Sequence, residues 1–126
     1  MNKLHHRFEL SATSIMEYAK SIGADLQMVD GTLIAPSTMP IIFWTAFDVP
    51  WLNTDLPILH GKQQFYYEAP LEAGMMLDCE LSLIQMERKS GRRGELTLYT
   101  HMLTCSYNGR LLMSSETILI SVKDRV

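Results

Sequence analysis

The sequence predicts an α+β domain in which one long antiparallel β-sheet is wrapped around a central, nearly all-apolar helix. Three observations predict it. The run His60-Gly61-Lys62-Gln63-Gln64-Phe65-Tyr66-Tyr67 is rich in β-formers, breaks at Pro70 and turns at Gly74 into three further strand-like runs. Upstream, Pro40-Ile41-Ile42-Phe43-Trp44-Thr45-Ala46-Phe47 is a helix candidate apolar on nearly every side, and such a helix has to be surrounded by protein. Asn108-Gly109, a strong two-residue hairpin signal, joins the last two long runs.

The 126 residues fit a single domain spanning 1–126, large enough to bury a core without disulfide or metal staples. A hydrophobic fraction of 47% against a charged fraction of 20% excludes a disordered chain. The net charge of −3 provides no basic field for nucleic acid. Its one cationic cluster, Arg88-Lys89 with Arg92-Arg93, lies among Ser90, Gly91 and Gly94 and reads as a solvated hairpin tip, with a coenzyme A phosphate contact as the alternative. No apolar run reaches the length of a membrane span, and Met1-Asn2-Lys3-Leu4-His5-His6-Arg7 lacks the apolar centre of a secretory signal, so a cytoplasmic location is expected. Cys79 and Cys105 fall in strand-like runs without CxxC spacing and read as buried reduced thiols. No histidines stand with acidic or sulfur ligands at metal spacing, so neither a metal nor a cofactor is expected.

Along the chain, Lys3 to Leu10 reads as a first strand. Ser14 with Glu17 has capping-box spacing for a helix whose apolar face is Ile15, Tyr18, Ala19 and Ile22, and Gly23 ends it. Residues 24–31 read as a loop closing on the turn signal Asp30-Gly31. The central helix, residues 40–48, starts at Pro40 with Ser37, Thr38 or Met39 as its cap, and Pro50 stops it. Trp51 to Pro57 reads as an irregular connection to a strand beginning near Ile58. In the next strand Leu77, Cys79, Leu81 and Leu83 alternate with Asp78, Glu80 and Ser82, the pattern of a half-buried strand. Glu95 to Tyr107 and Arg110 to Val122 complete a meander, with Ile118, Ile120 and Val122 sharing a face.

Strand, helix, apolar helix and long antiparallel strands is the order of a hot-dog fold. The chain resembles the MaoC-like hydratase/dehydratase group of that fold, in particular its N-terminal-type and often non-catalytic halves. The resemblance rests on Tyr18-Ala19 with Gly23, Ala35-Pro36-Ser37-Thr38, Leu59-His60-Gly61 with Gln64-Phe65, Pro70-Leu71 with Ala73-Gly74, and Gly91 with Gly94. It covers nearly the whole chain.

That resemblance implies an acyl thioester of coenzyme A or acyl carrier protein as partner, and hydration of a trans-2-enoyl group or the reverse dehydration. Catalytic members carry an Asp followed five residues later by a His, one group handling the water or α-proton and the other completing the transfer. Backbone N–H groups at the start of the central helix polarise the thioester carbonyl. Here Asp25 stands near the expected aspartate, but five residues on is Asp30, and Gln27-Met28 replaces the asparagine-proline pair between them. The dyad is incomplete. The catalytic candidates are therefore Asp25 and His60, the latter at a strand start where a structural hydrogen bond is the competing role. His101, between Tyr99 and Leu103 on one strand face, could meet the central helix or a partner surface. Pro36, Ser37, Thr38, Phe43, Trp44 and Phe47 are the candidate substrate-binding residues, lining or following the helix start.

Two functional classes follow. The first is a non-catalytic or partner-dependent subunit, paired as a homodimer or as a heterodimer with a catalytic hot-dog chain through an edge-to-edge sheet; an acyl-ligand-binding dimer without catalysis is a separate alternative that the sequence does not distinguish from it. The second is a hot-dog acyl-CoA thioesterase, which needs only one carboxylate to aim water at the carbonyl. Serine chemistry has no support, since neither a GxSxG nor an SxxK motif is present.

Overall fold

Five strands form the main sheet, and its register explains where the core lies. The computed structural model describes residues 2–52, 55–92 and 94–124. Met1, Asn53 and Thr54 of the connection, and Arg93 of the cationic cluster lie outside the described residues. The strands are β1 (Lys3–Glu9), β4 (Ile58–Tyr67), β5 (Met76–Gly91), β6 (Gly94–Tyr107) and β7 (Arg110–Asp124), in the order β1-β5-β6-β7-β4. All neighbours are antiparallel.

Rows of residues cross the sheet in register. Cys79, Cys105 and Met113 form one row, Leu81, Leu103 and Ser115 the next, and Leu83, His101 and Thr117 a third. Except for Leu83, which is half-buried, every member is buried. These rows make the inner face. Ile118, Ile120 and Val122 do share a face, but it is the outer one, because β7 turns Met113, Ser115, Thr117 and Ser121 inward. Cys79 and Cys105 are free thiols directly opposite one another, with Sγ atoms 3.5 Å apart.

The apolar segment is a 3-10 helix from Met39 to Ala46 rather than an α-helix over 40–48. Pro40 has no N–H, while Ile41 N–H bonds Thr38 O and Phe47 N–H bonds Trp44 O, the three-residue closure of that helix type. Residues three apart then stand one above another, so Pro40 and Phe43 form a buried row, and Phe43 meets Phe8 of β1 at 4.5 Å between centroids. Ile41 points away and is 41% exposed. The helix is thus covered on the sheet side and not wrapped all round.

Other differences are local. Helix α1 spans Ala12–Ser21 and is capped by Ser11, whose Oγ accepts from Ser14 N–H at 3.1 Å; Ser14, the expected cap, donates its hydroxyl to Ser11 O at 2.8 Å. Gly23 ends this helix at φ +69°. Ile15 and Ala19 are buried, Tyr18 is half-buried, and Ile22 is exposed, so the apolar face is narrower than its sequence spacing. The stretch expected as loop forms a hairpin, β2 (Gln27–Val29) with β3 (Thr32–Ile34), because Asp30 and Gly31 both adopt positive φ, 50° and 79°, as a tight two-residue turn demands. Pro50–Leu52 is a second short 3-10 turn inside the expected irregular connection. Beyond Leu83, β5 continues through a register shift to Gly91, well past the alternating segment. Among the described residues no helix is long and apolar enough to cross a membrane.

Phe43→Ala should lower the unfolding free energy by about 3–5 kcal/mol, and Ile41→Ala by about 0.5 kcal/mol or less, in denaturant titrations. Equal losses would contradict the buried row of the central helix.

Candidate functional site

The chain segments meeting at the start of the central helix enclose a cleft of about 680 Å3. Ala19 and Ile22 of α1 form one wall, Leu26 and Ile34 of the hairpin another, and residues 67–70 after β4 a third, with Pro36, Ser37 and Thr38 leading into the helix. The hairpin is held there by the backbone: Ala35 N–H bonds Leu71 O at 2.8 Å and Ala73 N–H bonds Leu33 O at 2.9 Å. Two phenols fix the turn. Tyr67 donates to Ser37 O at 2.7 Å, and the Tyr18 hydroxyl pairs with Thr38 Oγ1 at 2.7 Å. Thr38 is the N-cap residue, but its hydroxyl is taken by Tyr18 and caps nothing. Burial pushes the Tyr67 phenol well above its ordinary range, so it stays protonated as a donor.

The helix start offers few N–H groups. Met39 N–H turns back to Pro36 O, Ile41 N–H to Thr38 O, and Pro40 has none. Those of Ser37 and Thr38 are the ones the 3-10 turn does not use.

Asp25 and Glu68 are the acids on the cleft wall, and among the described residues no histidine lines it. His60 is exposed on β4 opposite Leu119. It lies seven positions from Tyr67 along the same strand, about 23 Å at the usual strand rise. One chain therefore does not bring Asp25 and His60 together. Of the six substrate-binding candidates, Pro36, Ser37 and Thr38 line the cleft. Phe43 is in the core against Phe8, Phe47 stands edge-on to His6 at 6.1 Å, and Trp44 stands edge-on to His101 at 4.8 Å. The cationic tip residues Lys89 and Arg92 border a separate depression with Val122 and Asp124. Val122 is nine positions along β7 from Met113, the partner of Tyr67, or about 30 Å. A phosphate held at that tip cannot belong to a ligand in the cleft of the same chain unless the ligand spans that distance.

Sequence reasoning missed Tyr18, Tyr67 and Glu68. Tyr67 had a signal, since strand alternation places Phe65 and Tyr67 on the same inner face. The pairing of Tyr18 with Thr38 joins residues 20 apart in sequence and had none.

No family model matches the chain. A UPF0336 protein of Thermobifida fusca (strain YX) is 32% identical over 94 residues, which are 70% of this chain and 60% of that protein. The chain thus spans less than two thirds of the length of this curated relative. Among solved structures, the HadBC (3R-hydroxyacyl-ACP dehydratase) complex of Mycobacterium tuberculosis superposes with a TM-score of 0.75 at 19% identity, over 95% of this chain and 96% of that chain. A MaoC-like dehydratase superposes at 0.77 and 17% identity, over 97% of this chain and 42% of the other. The ChsH1–ChsH2 complex of Mycobacterium tuberculosis reaches 0.72 at 13% identity, over 98% and 84%. The chain has the hot-dog fold, which it shares with these structures.

Tyr67→Phe leaves the Ser37 carbonyl without its donor and should cost about 0.5–1.5 kcal/mol of stability. An unchanged denaturation midpoint would show that the phenol does not hold the turn.

Proposed function

We propose that this chain is an acyl-thioester-binding subunit of a MaoC-like hydratase/dehydratase, with a second hot-dog chain supplying the Asp/His pair. The observation that carries this reading is the cleft itself. It has largely apolar walls, sits at the start of the central helix, and has Asp25 on its wall but no histidine among the described residues. Such a wall suits a fatty acyl group carried by coenzyme A or acyl carrier protein, in the cytoplasm. Heteromeric relatives such as the HadBC and ChsH1–ChsH2 complexes support a paired assembly.

The two sheet edges differ in a way that supports pairing through β4. On β1, Arg7 pairs with Asp78 at 3.2 Å and Lys3 with Glu80 at 3.5 Å, charges that discourage further strands. On β4, Lys62 pairs with Glu116 at 2.7 Å, but the apolar Ile58, Leu59 and Tyr66 are exposed. A second copy or a different hot-dog chain would continue the sheet there, and His60 belongs to that pairing surface. A second reading, an acyl-CoA thioesterase, is favoured by Asp25 and Glu68, two exposed carboxylates on the cleft wall, either able to direct water at a thioester carbonyl.

The purified chain should neither hydrate crotonyl-CoA nor release thiol from saturated acyl-CoA thioesters above background. Mixing it with a hot-dog chain bearing the intact Asp/His pair should yield hydration that exceeds that chain's own rate. Thiol release by the chain alone, abolished in Asp25→Asn or Glu68→Gln, would replace this reading with the thioesterase. Hydration by the chain alone would overturn the partner requirement.

A further inference from the structure

His101 is fully buried on the inner face and lies well away from the cleft wall. Its two ring nitrogens have different partners. Nδ1 lies 3.1 Å from Thr117 O, which can only accept, so Nδ1 carries the proton. Nε2 is then the bare nitrogen, and it accepts the indole N–H of Trp51 at 2.9 Å. The two rings are 26° from parallel with centroids 6.0 Å apart, the arrangement of an in-plane hydrogen bond. Trp44 of the central helix stands edge-on to the same imidazole at 4.8 Å.

A proton added to Nε2 would place two donors face to face. It would also create a buried cation with no carboxylate against it among the described residues. The groups around the ring are Trp44 from the central helix, Trp51 from the Pro50–Leu52 turn, the Thr117 carbonyl from β7, Tyr99 on its own strand at 6.5 Å, and Leu83 in register on β5. Tyr99 is the one titratable member and none is a carboxylate. Burial is expensive for a charged imidazole even beside backbone carbonyls, and the system escapes by letting the ring reach water.

We propose that His101 is an acid-sensitive latch on the Pro50–Leu52 turn: neutral, it holds Trp51 against the inner face of the sheet, and protonated, it releases Trp51. The latch is independent of what the cleft binds. Burial lowers the affinity of this imidazole for protons below the ordinary 6.5, outweighing the hydrogen bonds to Thr117 and Tyr99 that act the other way. A histidine with a lowered folded value contributes stability above its ordinary value. That contribution is lost as pH falls from 6.5 through the lowered value.

The reporter is built in, since Trp44 and Trp51 are the two tryptophans of the chain and both touch the ring. Intrinsic fluorescence and far-ultraviolet circular dichroism of the full chain would be followed together from about pH 7.5 to about pH 4.5. The expected result is a reversible shift of emission to longer wavelength while the dichroism is unchanged. The shift should be lost in His101→Gln, whose amide can serve both partners without titrating, and kept in His5→Gln, His6→Gln and His60→Gln. Persistence of the shift in His101→Gln would overturn the latch, as would emission that changes only together with the dichroism. Should His101→Gln not fold, proton NMR of the native chain decides: the Trp51 indole N–H resonance must move with the His101 titration, and an indole signal indifferent to it refutes the proposal.

Discussion

Everything in this molecule depends on one packing contact, the seating of Met39, Pro40 and Phe43 on the inner face of β5, β6 and β7. Those side chains and the rows Cys79–Cys105–Met113 and Leu81–Leu103–Ser115 are buried against one another. Without the helix, the inner face would present a broad apolar surface to water. Without the sheet, an eight-residue 3-10 helix would have nothing to stabilise it, since its hydrogen bonds are poor and few. The contact also fixes position. Because Pro40 and Phe43 set the axis, the preceding residues 36–38 fall at the end of the sheet, where α1 and the β2–β3 hairpin close around them.

That placement turns a packing solution into a binding surface. The turn at 36–38 is held by two tyrosine hydroxyls from different elements, so its geometry is fixed before any ligand arrives. The aromatic residues further along the helix serve a different purpose. Phe43 fills the core and Trp44 packs on His101, so these two candidate binding residues are structural volume.

The strands were largely legible in the sequence, because alternation at Leu77–Leu83 and the Asn108-Gly109 turn are local signals with a direct backbone meaning. The Asp30-Gly31 turn was legible too, but the three-residue strands beside it were not; segments that short carry no periodicity, and they form only because β3 is tied to the β4–β5 connection through Leu71 and Leu33. The helix type was missed because apolar composition is the same for an α-helix and a 3-10 helix. For the cleft, the motif Ala35-Pro36-Ser37-Thr38 pointed to the right turn. Its companions Tyr18 and Tyr67 come from remote elements, and no spacing rule connects them. His101 was suspected of meeting the central helix, which it does, whereas its bond to Trp51 depends on the short turn at Pro50–Leu52 that the sequence left irregular.

The unequal edges of the sheet set a limit on growth. A sheet whose two borders were both open could add copies without end, and the product would be a fibre. Here one border carries charge pairs from Arg7 to Asp78 and from Lys3 to Glu80, while the other has the Lys62–Glu116 pair but also presents Ile58, Leu59 and Tyr66. A pairing through the second border would leave the charged border of this chain at an outer end. A further strand would then have to add beside those charges, so a closed pair rather than an open row is the product such unequal edges favour.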